Sequence, residues 1–284
     1  MALAVSAERG KAVLKELADR HPEFVKNNRV YYEIQRKRAY GATKVTPTLT
    51  DRPDLLKELE DRGVVMVEDY IPRADAEAML AAAEGTLERA RRGELPEYTF
   101  TNQPEILLRV ANADQVVPET RPFFDDPTIR NVFRARLSPD VSSYRHELDY
   151  RYGLAEAGIR QADLYHFDNW RPIFKAFLYL TEVSEAQSPF VYVPGTHTQA
   201  EWKRRHEIAY DVYGPTGPFG HFLPQEMRAL RAEYGWEDLI CTGGPGTLIL
   251  ADFRGLHRGT PLRAGRRVLL NNTFDLMNME LADG

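Results

Sequence analysis

The chain predicts a mostly β fold, a barrel or two-sheet jelly roll with helices packed on its outside. Three observations lead there. The second half breaks into many short runs rich in β-branched and aromatic residues, several of them separated by Gly/Pro turns. The segments with helical spacing gather in the first half. With 284 residues, 43% hydrophobic and 11% aromatic, the chain can bury one substantial core.

The elements follow in order. Ala7 to Ala18 is charged and helix-prone, and Lys26 to Lys44 is basic. Residues 1–51 are therefore expected to form a helical extension packed on the core, with the main domain at 52–284. Pro53 to Arg62 reads as a short helix that Gly63 ends. Val64 to Val67 is a β-branched strand, and Ile71-Pro72 a turn. Ala74 to Arg92 is an amphipathic helix with Met79, Leu80, Ala83, Leu87 and Ala90 near helical spacing, stopped by Gly93. Short strands are expected at Tyr98–Thr101 and Ile106–Val110, then a helix from near Pro127. Further strands are expected at Glu147–Tyr152, Gln161–Phe167, Phe174–Thr181, Phe190–Val193, Thr247–Ala251 and Arg267–Phe274. Thr198 to Thr242 reads as helix and loop, rich in Trp, Tyr, Arg, Pro and Gly, and has the length of a lid-like insert.

Bulk properties narrow the function. A net charge of −5 gives no basis for nucleic acid or an anionic membrane as partner. No apolar run approaches the ~20 residues of a membrane helix. Met1 to Ala7 is too short for a signal sequence. The single cysteine, Cys241, excludes an intramolecular disulfide and argues against a thiolate-rich zinc site. The expectation is a cytoplasmic protein acting on a small molecule, with a homodimer left open.

Tyr165-His166-Phe167-Asp168-Asn169-Trp170 is the most informative stretch. Side chains alternate along a strand, so His166 and Asp168 project from one face. Together they are two-thirds of a 2-His-1-carboxylate iron site. In a chain with seven histidines, about one such pair is expected by chance. The downstream segment adds weight. Gly246 opens an apolar strand that leads to His257, and Arg266-Arg267 opens the next. His257 completes a triad, and an arginine there suits the distal carboxylate of a dicarboxylate through a bidentate pair. Three protein ligands leave three positions on Fe(II), two for a 2-oxo acid and one for O2. The histidines must be neutral to bind metal, so iron should be lost as pH falls through the imidazole range.

The blocks His166-Phe167-Asp168, Lys175 to Val183, Val193-Pro194-Gly195-Thr196-His197, Gly246 to Ile249, Leu256-His257 and Arg266 to Leu269 resemble the phytanoyl-CoA dioxygenase family, a branch of the Fe(II)/2-oxoglutarate oxygenases. The likeness spans roughly residues 52 to 275. It implies a double-stranded β-helix, cupin-like, with His166, Asp168 and His257 as catalytic iron ligands. It implies 2-oxoglutarate and O2 as co-substrates, and hydroxylation of a metabolite with release of succinate and CO2. Asp168 disfavours halogenation, because related halogenases carry a small residue there. For the family arginine, Arg266 matches best and Arg267 competes, because strand parity is unknown. His197, in the Pro-Gly-Thr-His turn, is expected to be structural. Gln161, Trp170 and Lys175 flank the metal strand and are candidates for co-substrate or substrate contact. A metal-dependent barrel enzyme that does not use 2-oxoglutarate, and a non-catalytic binding protein on the same fold, are the alternatives.

Overall fold

A computed structural model describes residues 50–101, 106–136, 141–154, 164–168, 173–198, 221–222 and 224–275. The N-terminal extension up to residue 49, and with it most of the 1–51 segment, lies outside these, as do Gln161, Trp170 and residues 199–220 of the insert.

The first elements stand where punctuation puts them. Helix α1 (Pro53–Arg62) opens with proline at its first turn and closes on Gly63, whose φ of 75° is left-handed. Strand β1 (Val64–Val67) follows at once. Helix α2 (Arg73–Arg91) buries Met79, Ala83, Leu87 and Ala90 of the stripe read from the sequence, and its Leu80 is partly buried. After β2 (Thr99–Phe100) and β3 (Leu107–Ala111) come three short helices: α3 (Ala113–Val116), α4 (Arg121–Phe124) and α5 (Pro127–Arg136). The remaining elements are β4 (Ser142–Arg151), β5 (Tyr165–His166), β6 (Phe174–Tyr179), β7 (Phe190–Tyr192), β8 (His221–Phe222), α6 (Pro224–Tyr234), β9 (Leu239–Cys241), β10 (Leu248–Asp252), β11 (His257–Arg258) and β12 (Arg267–Asp275).

Two antiparallel sheets form, in the orders β1-β10-β6-β12-β4-β3-β2 and β8-β5-β11-β7-β9. Alternation along the strands of the larger sheet sorts its residues into two faces. Leu148, Tyr150, Ala176, Leu178, Leu248, Leu250, Val268 and Leu270 face the helices, packing with Leu59, Leu87 and Phe133. Phe177, Tyr179, Ile249, Ala251 and Leu269 face the smaller sheet and meet Phe190, Tyr192 and Cys241. The far side of the smaller sheet is covered by Met227 and Leu230 of α6. The result is a jelly roll, a two-sheet sandwich with helices on its outer faces. Among the described residues, no helix is long and apolar enough to cross a membrane.

Two expectations change. Strand β4 begins at Ser142, five residues before the expected start, because Ser142 to Arg145 carries no apolar alternation to mark it. Residues 221–242, expected as part of a lid-like insert, supply β8, α6 and β9, so this part belongs to the sandwich.

The inner face of the larger sheet is unusual in another way. Glu147, Asp149, Arg151, Arg267, Asn271 and Thr273 are all buried there. Alternation in β4 and β12 would ordinarily send the polar set to water. Here the apolar set meets the helices and the polar set lines the space between the sheets.

Close contact fixes Gly255. A Cβ at that position would lie 1.7 Å from the Tyr192 hydroxyl, which donates to the Asp252 carbonyl at 2.8 Å. Gly255→Ala is expected to destabilise the fold by about 1–3 kcal/mol through overpacking. A thermal melt checks this; an unchanged melting temperature would show that Tyr192 yields freely.

Candidate metal centre

His166 on β5 and His257 on β11 are direct cross-strand partners. Each ring is tied in the same way. Nδ1 of His166 lies 2.8 Å from the Leu164 carbonyl, and Nδ1 of His257 lies 2.8 Å from the Gly255 carbonyl. A carbonyl only accepts, so both Nδ1 atoms must donate. Both Nε2 atoms then present lone pairs, the tautomer a metal requires.

Those lone pairs converge on Asp168. Its Oδ1 lies 3.3 Å from Nε2 of His257 and 3.7 Å from Nε2 of His166. The three potential ligand atoms lie within 4.8 Å of one another. Two nitrogen lone pairs and a carboxylate oxygen repel at such distances unless a cation or proton sits among them. Two imidazoles and one carboxylate are the donor set of a non-haem iron site, so these residues fit such a metal.

Asp168 is held from both ends. Its amide donates to the Phe253 carbonyl at 3.1 Å. Its second oxygen, Oδ2, accepts from Lys175 Nζ at 2.6 Å, which leaves Oδ1 for the histidines. Burial alone would raise this carboxyl, but the Lys175 ammonium, joined by His257 and His166 when their rings are protonated, outweighs it and holds the pKa well below the usual range. Lys175 also rests on the Phe253 ring, 3.9 Å from its centroid. Phe253 packs on His257 at 4.3 Å between centroids, so one aromatic ring positions both the lysine and a histidine. Lys175 therefore reaches the Asp168 carboxylate from mid-strand.

The arginines part company at the start of β12. Arg266 points toward the helices and makes two contacts with Glu84 of α2, at 2.5 and 3.1 Å. Arg267 points between the sheets and is 7% exposed. It donates through Nη1 to the Ser188 carbonyl, while its Nε is buried without a hydrogen-bond partner. The expectation favouring Arg266 is thus corrected in geometry. Parity puts it on the face of Val268 and Leu270, and puts Arg267 on the face of Leu269 and Asn271.

The family model for phytanoyl-CoA dioxygenase matches residues 59–267, well over half of the chain. The chain belongs to the phytanoyl-CoA dioxygenase family. Solved structures show the same fold. The apo form of EctD from S. alaskensis is similar with a TM-score of 0.55 and 17% identity, over 82% of this chain and 79% of that one. The carbocyclase SnoK from nogalamycin biosynthesis gives 0.53 and 16%, over 82% and 87%. AviO1 from Streptomyces viridochromogenes gives 0.51 and 15%, over 83% and 98%. No curated protein matches the chain in sequence.

The Val-Pro-Gly-Thr-His element that marks the phytanoyl-CoA dioxygenase likeness has a physical role here. His197 is 1% exposed, and its Nε2 donates to the Glu60 carbonyl of α1 at 3.0 Å. Thr196 Oγ1 accepts from the Leu256 amide at 2.8 Å, one residue before His257. The motif thus ties α1 to the strand that carries His257. Burial lowers the His197 pKa, helped by Arg254 and Arg136 and opposed by Asp252 and the Glu60 carbonyl. The unfolded chain, with an imidazole near 6.5, then binds more protons than the folded one. Stability should fall as pH drops below about 6.5. Urea denaturation at neutral pH and about one unit below that value checks this. His197→Gln is expected to flatten that slope, and an unchanged slope would assign it to other groups.

Several site features carried no signal in the sequence. Asn271 Nδ2 donates to Glu147 Oε2 at 2.6 Å, and Arg109 Nε donates to Asp149 Oδ1 at 3.0 Å. These pairs join β12 to β4 and β3 to β4. They are visible only once the register is known. The one available hint was the acidic alternation of Glu147 and Asp149 around Leu148.

Proposed function

We propose that this protein is an Fe(II)- and 2-oxoglutarate-dependent oxygenase that hydroxylates an unactivated C–H bond of a small-molecule metabolite. The observation that carries the reading is the convergence of two Nδ1-anchored imidazoles and a lysine-oriented carboxylate on one point. His166, Asp168 and His257 would hold the iron. Bound there, iron supplies oxygen activation, coupling oxidative decarboxylation of 2-oxoglutarate to removal of a substrate hydrogen.

The protein's own groups do the rest. Arg267 is the candidate for the distal carboxylate of 2-oxoglutarate, because it is buried between the sheets with an unused Nε. Lys175 is a positioning residue that keeps Asp168 ionised and turned. Phe177, Phe190 and Phe253 pack together beside His257 and exclude water from that flank. EctD has been crystallised with bound Fe, and also with 2-oxoglutarate and 5-hydroxyectoine. SnoK is described as a non-haem α-ketoglutarate-dependent carbocyclase. Both support the cofactor assignment. The pair also indicates that the fold does not fix the outcome, which depends on where the substrate sits.

Adding Fe(II) and 2-oxoglutarate without O2 should produce a visible metal-to-ligand charge-transfer band that is missing in His166→Ala. Iron binding without a band would sink the 2-oxoglutarate assignment. No iron binding at all would sink the metal assignment.

A further inference from the structure

A buried carboxylate between the sheets is unused by the reading above. Glu147 is 2% exposed. Its Oε2 accepts from Asn271, but Oε1 is buried without a hydrogen bond. Among the described residues, Oε1 has an ion pair with Arg145 Nε at 3.6 Å, beyond hydrogen-bond reach and on a side chain that is half exposed. Arg109 and Lys175, whose charges also reach Glu147, are engaged elsewhere, Arg109 with Asp149 and Lys175 with Asp168. Burial, and then the neighbouring charge of Asp149, push the Glu147 pKa upward against Arg109, Arg145 and Lys175. Glu147 and Asp149 thus occupy adjacent inward positions of one strand, and Glu147 Oε1 lacks a hydrogen-bond donor.

As pure packing this arrangement is costly, since an apolar residue of similar volume would generally be as stable or more so. It makes sense as recognition. Glu147 lies in register with Asn271, and Asn271 with Phe177, so one row across the sheet holds a carboxylate, an amide and an aromatic ring. That combination suits an alkylammonium, which needs a hydrogen-bonded counter-charge and tolerates an aromatic neighbour. Strand β4 is two strands from β6, which carries Lys175, on the order of 10 Å by strand spacing.

We propose that Glu147 receives a protonated amine of the prime substrate, so that the substrate is a small molecule carrying an ammonium group some carbons away from the bond that reacts. The proposal rests on the triad being the reaction centre, and its test separates the two. Under anaerobic conditions, the Fe(II)- and 2-oxoglutarate-loaded protein is titrated calorimetrically with n-hexylamine, n-hexanol and hexanoate, with the visible band recorded alongside. The amine is expected to bind at least about tenfold more tightly than either matched probe and to perturb the band. Glu147→Gln, which keeps the contact to Asn271, should retain the band and the melting temperature and lose the preference. Glu147→Asp should retain part of it, which guards against a folding artefact in the first variant. A normal band with no amine preference, no amine binding, or a preference that survives Glu147→Gln overturns the proposal and leaves the metal assignment standing. Failure of the band itself counts against the metal and co-substrate reading.

Discussion

Asp168→Ala is expected to abolish stable Fe(II) binding, weakening it by well over a hundredfold, while the protein stays folded. Asp168 is the sole carboxylate among the three converging groups, and it is gripped on one oxygen by Lys175 and approached by both imidazoles on the other. Removing it leaves an ammonium beside two metal-seeking nitrogens, so the charge balance of the site turns from favouring a dication to opposing it. The fold should survive, because the main core lies on the other face of the larger sheet and contains none of the triad. Lys175→Met gives the milder comparison. It frees Asp168 Oδ2 without deleting a ligand, and losses of an orienting partner of this kind run to about 10–100-fold. Anaerobic calorimetry with Fe(II), beside a thermal melt of each variant, checks both. Retention of iron by Asp168→Ala at native affinity would move the metal elsewhere in the molecule.

How much of this was legible depends on whether the information was local. Pro53 and Gly63 fix the ends of α1 by backbone chemistry alone, and the structure reproduces both ends. The two-residue spacing of His166 and Asp168 was read as strand alternation, but β5 ends at His166, and Asp168 lies just past it with its amide on the Phe253 carbonyl. The Gly-strand-His order then brought His257 to the same end. Other features need the register between strands. Arg266 and Arg267 are neighbours in sequence and opposite in space, and nothing within the segment says which faces inward. The pairing of Leu269 with Tyr179 and Asp149 decides it. Strands of two or three residues, such as β8, β9 and β11, are too short to show alternation. The polar run of β4 shows the same limit, since nothing local says which way its acidic residues turn, and the structure buries Glu147 and Asp149 between the sheets.

The pair of arginines gives the second large expectation. Arg267→Ala should weaken 2-oxoglutarate binding by about 2–5 kcal/mol, roughly 30- to several-thousand-fold, with iron affinity nearly unchanged. Arg267 is enclosed, and burial pushes its pKa down, helped by Arg109 and resisted by Tyr179 and Asp149. A guanidinium in that position, with one nitrogen on the Ser188 carbonyl and another unused, gains most from a carboxylate that arrives without its water. Arg267→Lys should rescue little, because a single ammonium cannot hold the Ser188 carbonyl and a carboxylate in the same planar geometry. Arg266→Ala should behave differently. Its partner is Glu84 on the helical side and both side chains are partly exposed, so its loss should cost about 0–1 kcal/mol of stability and leave 2-oxoglutarate affinity intact. The measurement is 2-oxoglutarate titration of the charge-transfer band in the three variants. If Arg266→Ala weakens the co-substrate and Arg267→Ala does not, the inward strand parity of the site is wrong. That would remove the basis for placing Glu147 in the same interior, since both assignments depend on the same register of β12 against β4.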